Sequence, residues 1–343
     1  MGEVEVEYII LRDNVEFSRL TSYRGSGAGV SMTSNAQVKW VLSGKFAINN
    51  EINYLTDRLQ LMLTLNGQQW PLGKYVLTDA STDSDGMREV VNLTAYDLTY
   101  LALSSKIEER LHLKKGMLYT TAIQSLLVES GITDFIVESN TATLQADRED
   151  WEPGTDRLSI INTLASEINY NSIWMDGGGT VHCSAFRQPS ADAVSVTYEE
   201  GAYSIQYPNW SRTVDMFEHP NVFIVEVDNP DLGTCMRAVS INDRPESPFS
   251  VGNLGRRVVS YEKLNNIASQ SELQAYADNK RFKSMQTTEI RTFYTGPSGQ
   301  HAVYDVVELV RGGESVLYEE TGWELDLEAP YKMTHTGKRV VYL

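Results

Sequence analysis

The segment from Arg58 to Leu65 alternates leucine with a different residue at every step. Successive side chains of a β-strand point to opposite faces, so the four leucines of this segment share one face. Asn66-Gly67 follows directly, and this pair readily takes the positive φ angles of a tight hairpin turn. The pattern predicts a hairpin whose returning strand contains Trp70 and Leu72.

A second hairpin is predicted immediately after the first. Lys74 to Thr82 would pair with Met87 to Ala95 across Asp83-Ser84-Asp85-Gly86, where glycine can take the left-handed conformation. From Glu3 to about Ala95 no helical period extends beyond a turn or two. Two consecutive hairpins favour a meander or a barrel, so residues 1–97 are predicted to form a β domain.

Helical spacing begins near Leu98 and defines a small α/β region. One helix is predicted over Thr120 to Ser130 and stops at Gly131. Another is predicted over about Asp156 to Asn169, capped by Thr155 or Asp156. A hairpin joining Ser172–Met175 to Thr180–Cys183 would close this region, which we place at 98–190.

Short strands rich in β-branched and aromatic residues resume in the last part of the chain, 191–343. One helix, at about 271–285, is predicted to pack across the outside of a barrel. The predicted strands are Val194–Tyr198, Ser204–Tyr207, Val222–Val227, Met236–Ile241, Ile290–Thr295, Ala302–Val310, Ser315–Tyr318, Gly322–Asp326 and Arg339–Tyr342. The predicted fold is mainly β with an α+β insertion, and a length of 343 residues suits two or three domains.

The chain is strongly acidic. It has 29 lysines and arginines against 46 aspartates and glutamates, a formal net charge of −17. A protein that grips nucleic acid needs clustered cations, so we expect no specific DNA binding. Acidity also favours solubility and is compatible with many functions.

Cysteine use and the N-terminal sequence bear on the compartment. Cys183 and Cys235 are too few for a disulfide framework and stand in no metal-type spacing. The N-terminus has acids where a signal peptide has positive charge, and no apolar run approaches the roughly 18 residues of a membrane helix. We expect a soluble chain without a membrane anchor, synthesised in the cytoplasm.

Chemical motifs are scarce. The sequence has no i, i+4 histidine pair and no HExxH pattern, so we predict no metal site, no cofactor and no catalytic residues. Adjacent strand residues face opposite ways, which argues against His182 and Cys183 as a base and nucleophile. The five histidines are His112, His182, His219, His301 and His335.

Four further features have two interpretations each. The Gly25–Gly29 run lacks the strand and helix of a dinucleotide site and is predicted to be a flexible loop. Asp147, Glu149, Asp150 and Glu152 could supply a glycosidase carboxylate pair, but a solvated acidic loop is favoured. Tyr203, Tyr207 and Trp210 could form a binding platform, but core or interface packing is favoured. Tyr198-Glu199-Glu200 and Tyr318-Glu319-Glu320 are interpreted as strand ends with solvated charge, which could also face a channel.

Two stretches together resemble the central hub proteins of phage-tail baseplates, which include the late-control and hub proteins of contractile tails and of prophage-derived tail-like particles. The first contains Asn49-Asn50, Asp57-Arg58, Asn66-Gly67 and Leu72-Gly73-Lys74-Tyr75. The second contains His219-Pro220-Asn221-Val222, the Pro245–Ser250 turn, Gly255-Arg256-Arg257 and the helix with Ala275 and Ala277 that leads into Thr288 to Phe293. Before a late strand, the family's Pro-x-x-x-x-Gly-Asp is replaced here by Gly296-Pro297-Ser298-Gly299-Gln300-His301.

The resemblance implies two tail-tube-like β-barrel domains flanking the small α/β domain. It also implies a homotrimer in the virion baseplate that presents six barrels to the sixfold tail tube and binds the threefold spike. Wedge or distal tail proteins would be further partners, and DNA would pass through the lumen without specific binding. The resemblance applies equally to an infectious phage or a tailocin, and to contractile or non-contractile tails.

Subunit contacts of such a ring would be heterologous and closed, and an edge strand joining its neighbour's sheet is the expected contact. The candidate edges are Glu5–Leu11 and Val303–Leu309, and ordinary pairing within a domain is their alternative role. Two other functions stay open: a tail-associated peptidoglycan hydrolase and a host-surface-binding distal tail protein.

Overall fold

The computed structural model describes residues 3–23, 25–84, 89–201, 204–214, 219–229, 234–286 and 289–340. About 46% of the chain is strand and 16% is helix, so the expected mainly β class with an α+β insertion is confirmed. None of the helices in the described part of the chain is long and apolar enough to span a membrane.

The described residues of the first region form strands joined by turns and loops, and no helix. The Asn66-Gly67 hairpin is confirmed, with φ angles of 52° and 82° at the turn, and Leu59, Leu61 and Leu63 are fully buried. The second hairpin also forms, although Asp85 to Arg88, which belong to its predicted turn and returning strand, lie outside the described residues. The strands are β1 (Val4–Arg12), β2 (Val15–Leu20), β3 (Gly29–Thr33), β4 (Trp40–Ala47), β5 (Arg58–Leu65), β6 (Gln68–Ser84) and β7 (Glu89–Asp97).

The middle region is a small α/β unit with its own apolar core. The carboxylate of Asp156 accepts the Ser159 N–H at 2.7 Å, so Asp156 is the cap of the third helix. Gly131 follows the second helix with a φ of 83°, as expected of a helix-ending glycine. The elements are α1 (Tyr100–Ser104), α2 (Tyr119–Glu129), β8 (Phe135–Val137), α3 (Arg157–Ser166), β9 (Trp174–Met175) and β10 (Val181–Cys183).

The last region begins with a 3-10 turn at Ala191–Ala193 and again consists mainly of strands. Its elements are β11 (Val194–Glu199), β12 (Gln206–Val214), β13 (Val222–Asn229), β14 (Thr234–Ile241), α4 (Val251–Leu254), β15 (Val259–Leu264), α5 (Gln270–Gln286), β16 (Glu289–Thr295), β17 (Val306–Arg311), β18 (Glu314–Asp326) and β19 (Met333–Arg339).

Three predictions for this region were wrong in detail. Ser315–Tyr318 and Gly322–Asp326 are halves of one bent strand, β18. The last strand of the described residues is Met333–Arg339, so the predicted strand Arg339–Tyr342 begins where it ends; Val341 and Tyr342 lie outside the described part of the chain. Helix α5 packs on β13 and β14, which belong to a separate three-stranded sheet, and not on the outside of a barrel.

One continuous sheet of 13 strands joins the first and last regions. Its main path runs β12-β16-β19-β18-β3-β4-β7-β6-β5-β1-β2, and β17 and β11 branch from β18. The first-region strands curl back on themselves: Thr21 and Tyr23 bond to Ala47 and Lys45 of β4, through a single isolated bridge. Apart from this bridge, the sheets that the described strands form are not closed into barrels, and two barrel domains are not confirmed.

The apolar core of the first region contains residues from both ends of the chain. Trp323 and Leu325 of β18 and Met333 of β19 pack with first-region residues such as Trp40. The Trp40 and Trp323 rings meet edge to face, with centroids 4.9 Å apart. The boundaries 1–97, 98–190 and 191–343 stay a prediction, and residues from 191–343 complete the core of 1–97.

We predict that Leu61→Ala lowers the free energy of unfolding by about 2–5 kcal/mol, because Leu61 is fully buried in this core and truncation leaves a cavity. Leu55→Ala is the matched control, since Leu55 is 87% exposed and its truncation should change stability by less than about 0.5 kcal/mol. Urea denaturation followed by tryptophan fluorescence measures both. Equal effects would contradict this account of the core.

Candidate functional site

The strands with one neighbour are candidates for assembly contacts, because an unpaired edge is a template for another chain. Strand β1, which contains Glu5–Leu11, pairs with both β2 and β5. Strand β17 (Val306–Arg311), which overlaps Val303–Leu309 from Val306 onward, pairs with both β11 and β18. Both predicted edges were therefore wrong, and their alternative role of ordinary pairing is confirmed.

Strand β12 is the most open edge among the described residues. It pairs with β16 only, and every residue from Pro208 to Val214 is exposed. Proline is tolerated in an edge strand because it has no backbone N–H that would need a hydrogen-bond acceptor. An exposed strand of this length presents a row of backbone groups to a neighbouring chain.

Trp210 gives the β12 edge an apolar anchor. It is 47% exposed, and the Arg291 guanidinium lies 4.2 Å from its ring centroid. Arg212 on the same strand pairs with Glu289 at 2.9 Å. Tryptophan and arginine are enriched among the residues that contribute most to binding energy at protein interfaces. The expectation that Trp210 serves packing at an interface is therefore compatible with its position, while Tyr203 lies outside the described residues.

A second partly open edge lies at the other end of the sheet. Strand β2 pairs with β1 only, and beyond its last residue the chain bonds to β4. Val15 is 68% exposed and Phe17 is 42% exposed, with Arg12 stacked 3.7 Å from the Phe17 ring. The two ends of the long sheet thus both expose apolar side chains.

A buried polar cluster lies in the last region. Glu320 Oε2 is 2.7 Å from His301 Nδ1, and Glu320 Oε1 is 2.6 Å from His335 Nδ1. Tyr198 contacts the other nitrogen of His301 at 2.7 Å, and Thr295 contacts that of His335 at 2.9 Å. The two imidazole centroids are 4.7 Å apart. The five side chains form one continuous chain of hydrogen bonds.

The solvated strand end predicted at Tyr318-Glu319-Glu320 was wrong. Glu320 stands within β18, beside the bulge where the register shifts, and its side chain is 1% exposed. The partners of its carboxylate, His301 and His335, lie 19 and 15 residues away in the sequence. The alternation of residues along β18 alone cannot predict contacts with such distant residues.

The electrostatics of the cluster are set by burial and mutual contact. Burial alone would raise the pKa of Glu320, but the two imidazoles outweigh it and hold that pKa at about 2. Burial would lower the pKa of His301, yet the Glu320 carboxylate raises it above the usual range. For His335 burial prevails and the pKa is lowered.

The remaining histidine and cysteine positions offer no comparable grouping within the described residues. His182 Nε2 lies 2.8 Å from Asp176, while Cys183 is buried and the burial raises the pKa of its thiol to about 12. His219 packs against Phe249, with ring centroids 4.2 Å apart. The argument against a His182–Cys183 pair is thus supported.

The acidic loop at 147–152 is solvated, as expected. Its four carboxylates are exposed, and each is bound by a neighbouring group. The contacts are Asp147 with the Lys115 N–H, Glu149 with His112, Asp150 with Arg148, and Glu152 with Arg110. The Gly25–Gly29 run is a loop leading into β3, and the N–H groups of Gly25 and Ser26 donate to Glu328.

We predict that Glu320→Gln lowers the free energy of unfolding at pH 7 by about 3–5 kcal/mol, because it breaks a buried charge network. A depressed carboxyl pKa contributes stability above the unfolded-state value, so the difference from wild type should narrow as pH falls from about 4.5 towards 2. Urea denaturation of both proteins across that pH range measures this difference in the free energy of unfolding. The control is Glu314→Gln, exposed on the same strand; if it matched Glu320→Gln, the network would have no special role.

Comparison with known proteins gives matches in fold. No family model matches the sequence, and no curated protein matches it significantly. A tail protein from Neisseria meningitidis MC58 has a TM-score of 0.67 at 11% identity, covering 97% of this chain and 96% of that one. The 43 kDa tail protein of prophage MuSo2 from Shewanella oneidensis has a TM-score of 0.66 at 10% identity, covering 97% and 98%.

A third match is the E. coli c3393 protein, a component of the type VI secretion system described as structurally similar to the T4 bacteriophage tail proteins gp27 and gp5. Its TM-score is 0.52 at 9% identity, covering 99% of this chain and 75% of that one. The chain therefore has the fold of phage and prophage tail proteins, and the resemblance found in the sequence is confirmed at the level of fold.

Proposed function

We propose that this chain is a structural subunit of a phage-type tail baseplate, and specifically its central hub. The observation that carries the proposal is agreement with prophage tail proteins over 97% of the chain, at TM-scores of 0.66 and 0.67. The similarity extends through all three regions, as a shared assembly role requires.

In this proposal three copies form a closed ring that adapts the sixfold tail tube to the threefold spike. The two curled strand regions of each copy would provide six similar units, which support the sixfold tube. Trimerisation uses heterologous contacts, in which different surfaces of two copies meet. The open β12 edge of one copy would meet the first region of the next, where Val15 and Phe17 of β2 are exposed.

The net charge of −17 supports a passive channel. Acidic groups on the inner wall would repel the phosphate backbone, so that DNA slides through without being retained. The middle α/β region would face wedge or distal tail proteins, and the whole assembly would reside in the virion baseplate.

The proposed role is not enzymatic. Each carboxylate of the acidic loop at 147–152 is already bound by a neighbouring group, which favours a surface role over a glycosidase pair. A hydrolase would act on cell-wall glycan, and a host-surface protein would bind a sugar or protein receptor. Neither activity is expected of the purified chain.

We predict a trimer in solution, alone or on addition of the tube or spike protein, and a weaker trimer for Trp210→Ala. Truncating an anchor at an interface centre costs about 2 kcal/mol or more, which corresponds to roughly 30-fold weaker association. Multi-angle light scattering over a concentration series measures both masses. A stable monomer that binds neither the tube protein nor the spike protein, but binds cell-wall sugar, would contradict the proposed hub function.

The matched control is Tyr261→Ala. Tyr261 is also an exposed aromatic residue on an edge strand, 58% exposed on β15, but it lies in the separate three-stranded sheet. Its truncation should leave the trimer unchanged. Equal weakening by both variants would contradict the assignment of the interface to β12.

A further inference from the structure

The cluster of His301, Glu320 and His335 has the composition of a metal site. One ligand atom from each residue lies within 4.8 Å of the others. The three side chains are 1%, 1% and 0% exposed. The sequence prediction of no metal site depended on the separation of the histidines along the chain, and the fold removes that separation for two of them.

The Thr295 hydroxyl contacts the outer nitrogen of His335. It lies 2.9 Å from His335 Nε2 and 2.7 Å from the Gly296 carbonyl oxygen. On the inner side of the ring, His335 Nδ1 lies 2.6 Å from Glu320 Oε1. A cation shared by this nitrogen and this carboxylate oxygen, either a proton or a metal ion, would join the two side chains.

The outer nitrogens of both imidazoles are already held. Tyr198 contacts His301 Nε2 and Thr295 contacts His335 Nε2, so each ring presents Nδ1 to the carboxylate. Metal-binding histidines are oriented in this way, with the second nitrogen bonded to a protein group. Both rings are therefore fixed in the orientation that ligation requires.

The charge of the surroundings also suits a divalent cation. Asp305 interacts electrostatically with His301 and Glu320, and its carbonyl accepts the Glu320 N–H at 2.8 Å. Two carboxyl groups therefore lie beside the two imidazoles. A divalent cation bound among them would compensate buried carboxylate charge, which is costly to leave unpaired.

We propose that His301, Glu320 and His335 bind one divalent transition-metal ion, with Zn²⁺ as the expected occupant. Two imidazole nitrogens and a carboxylate oxygen suit zinc and its neighbours, whereas Mg²⁺ and Ca²⁺ prefer oxygen ligands throughout. Tetrahedral zinc with bonds of about 2.05 Å places its ligand atoms about 3.3 Å apart. The contacts of 2.6 and 2.7 Å would widen by well under 1 Å, and the widest separation among the three ligand atoms, at most 4.8 Å, would shorten by at most about 1.5 Å.

The ion would connect three separate parts of the last region. His335 belongs to β19, Glu320 to β18, and His301 to the loop before β17. Tyr198 and Ser298 line a surface cleft, and the Tyr198 hydroxyl contacts His301. The role is structural and independent of the assembly proposed above.

The test is isothermal titration of the chelator-treated full chain with Zn²⁺, together with its melting temperature. We expect one ion per chain and a higher melting temperature. Glu320→Gln removes a ligand and should weaken binding at least 100-fold, while Thr295→Val removes only a supporting contact and should weaken it about 10- to 100-fold. The second variant keeps the test decisive if the first fails to fold.

His112→Asn is the matched control. His112 also lies 2.7 Å from a glutamate, Glu149, but on the surface and away from the cluster. It should bind Zn²⁺ as the wild type does. Three results would overturn the proposal: no Zn²⁺ binding in the wild type, unchanged affinity in both Glu320→Gln and Thr295→Val, or loss of binding in His112→Asn. In that case the cluster would be held together by shared protons and not by a metal ion.

Discussion

The backbone pairing between β18 and β3 is the interaction on which the architecture depends. Five residue pairs, from Gly322–Thr33 to Asp326–Gly29, join the last region of the chain to the first. The first half of β18 pairs with β17 instead, so one bent strand serves both regions. Without this pairing the long sheet would separate into two sheets, and the core at Trp40 would lack Trp323.

The bend of β18 also positions the buried cluster. The register of β18 against β19 shifts between Glu320 and Gly322, and a side chain at Gly322 would come within 3.0 Å of the Met32 carbonyl. The shift places Glu320 towards His301 and His335 on the inside of the strand. A buried charge network of this kind contributes little net stability but penalises any other register, because a slipped strand would leave the carboxylate unpaired.

Local features of the fold could be predicted because their causes are local. The alternating leucines before Asn66-Gly67 determine a hairpin, and the carboxylate of Asp156 determines where α3 begins. The final strand was misplaced because its inward positions are Met333, His335 and Gly337, which give no apolar alternation. The open edges and the cluster could not be predicted, since they depend on which strands become neighbours: β1 and β17 gain partners on both sides, and β12 does not.

Electron cryomicroscopy of the purified assembly, with tube or spike protein added if needed, tests the proposed closure of the chain into a threefold ring through the exposed edge of β12. We expect a closed ring of three copies in which Pro208 to Val214 are covered by the neighbouring copy. A monomer under all these conditions, or a ring that leaves β12 facing solvent, would contradict it.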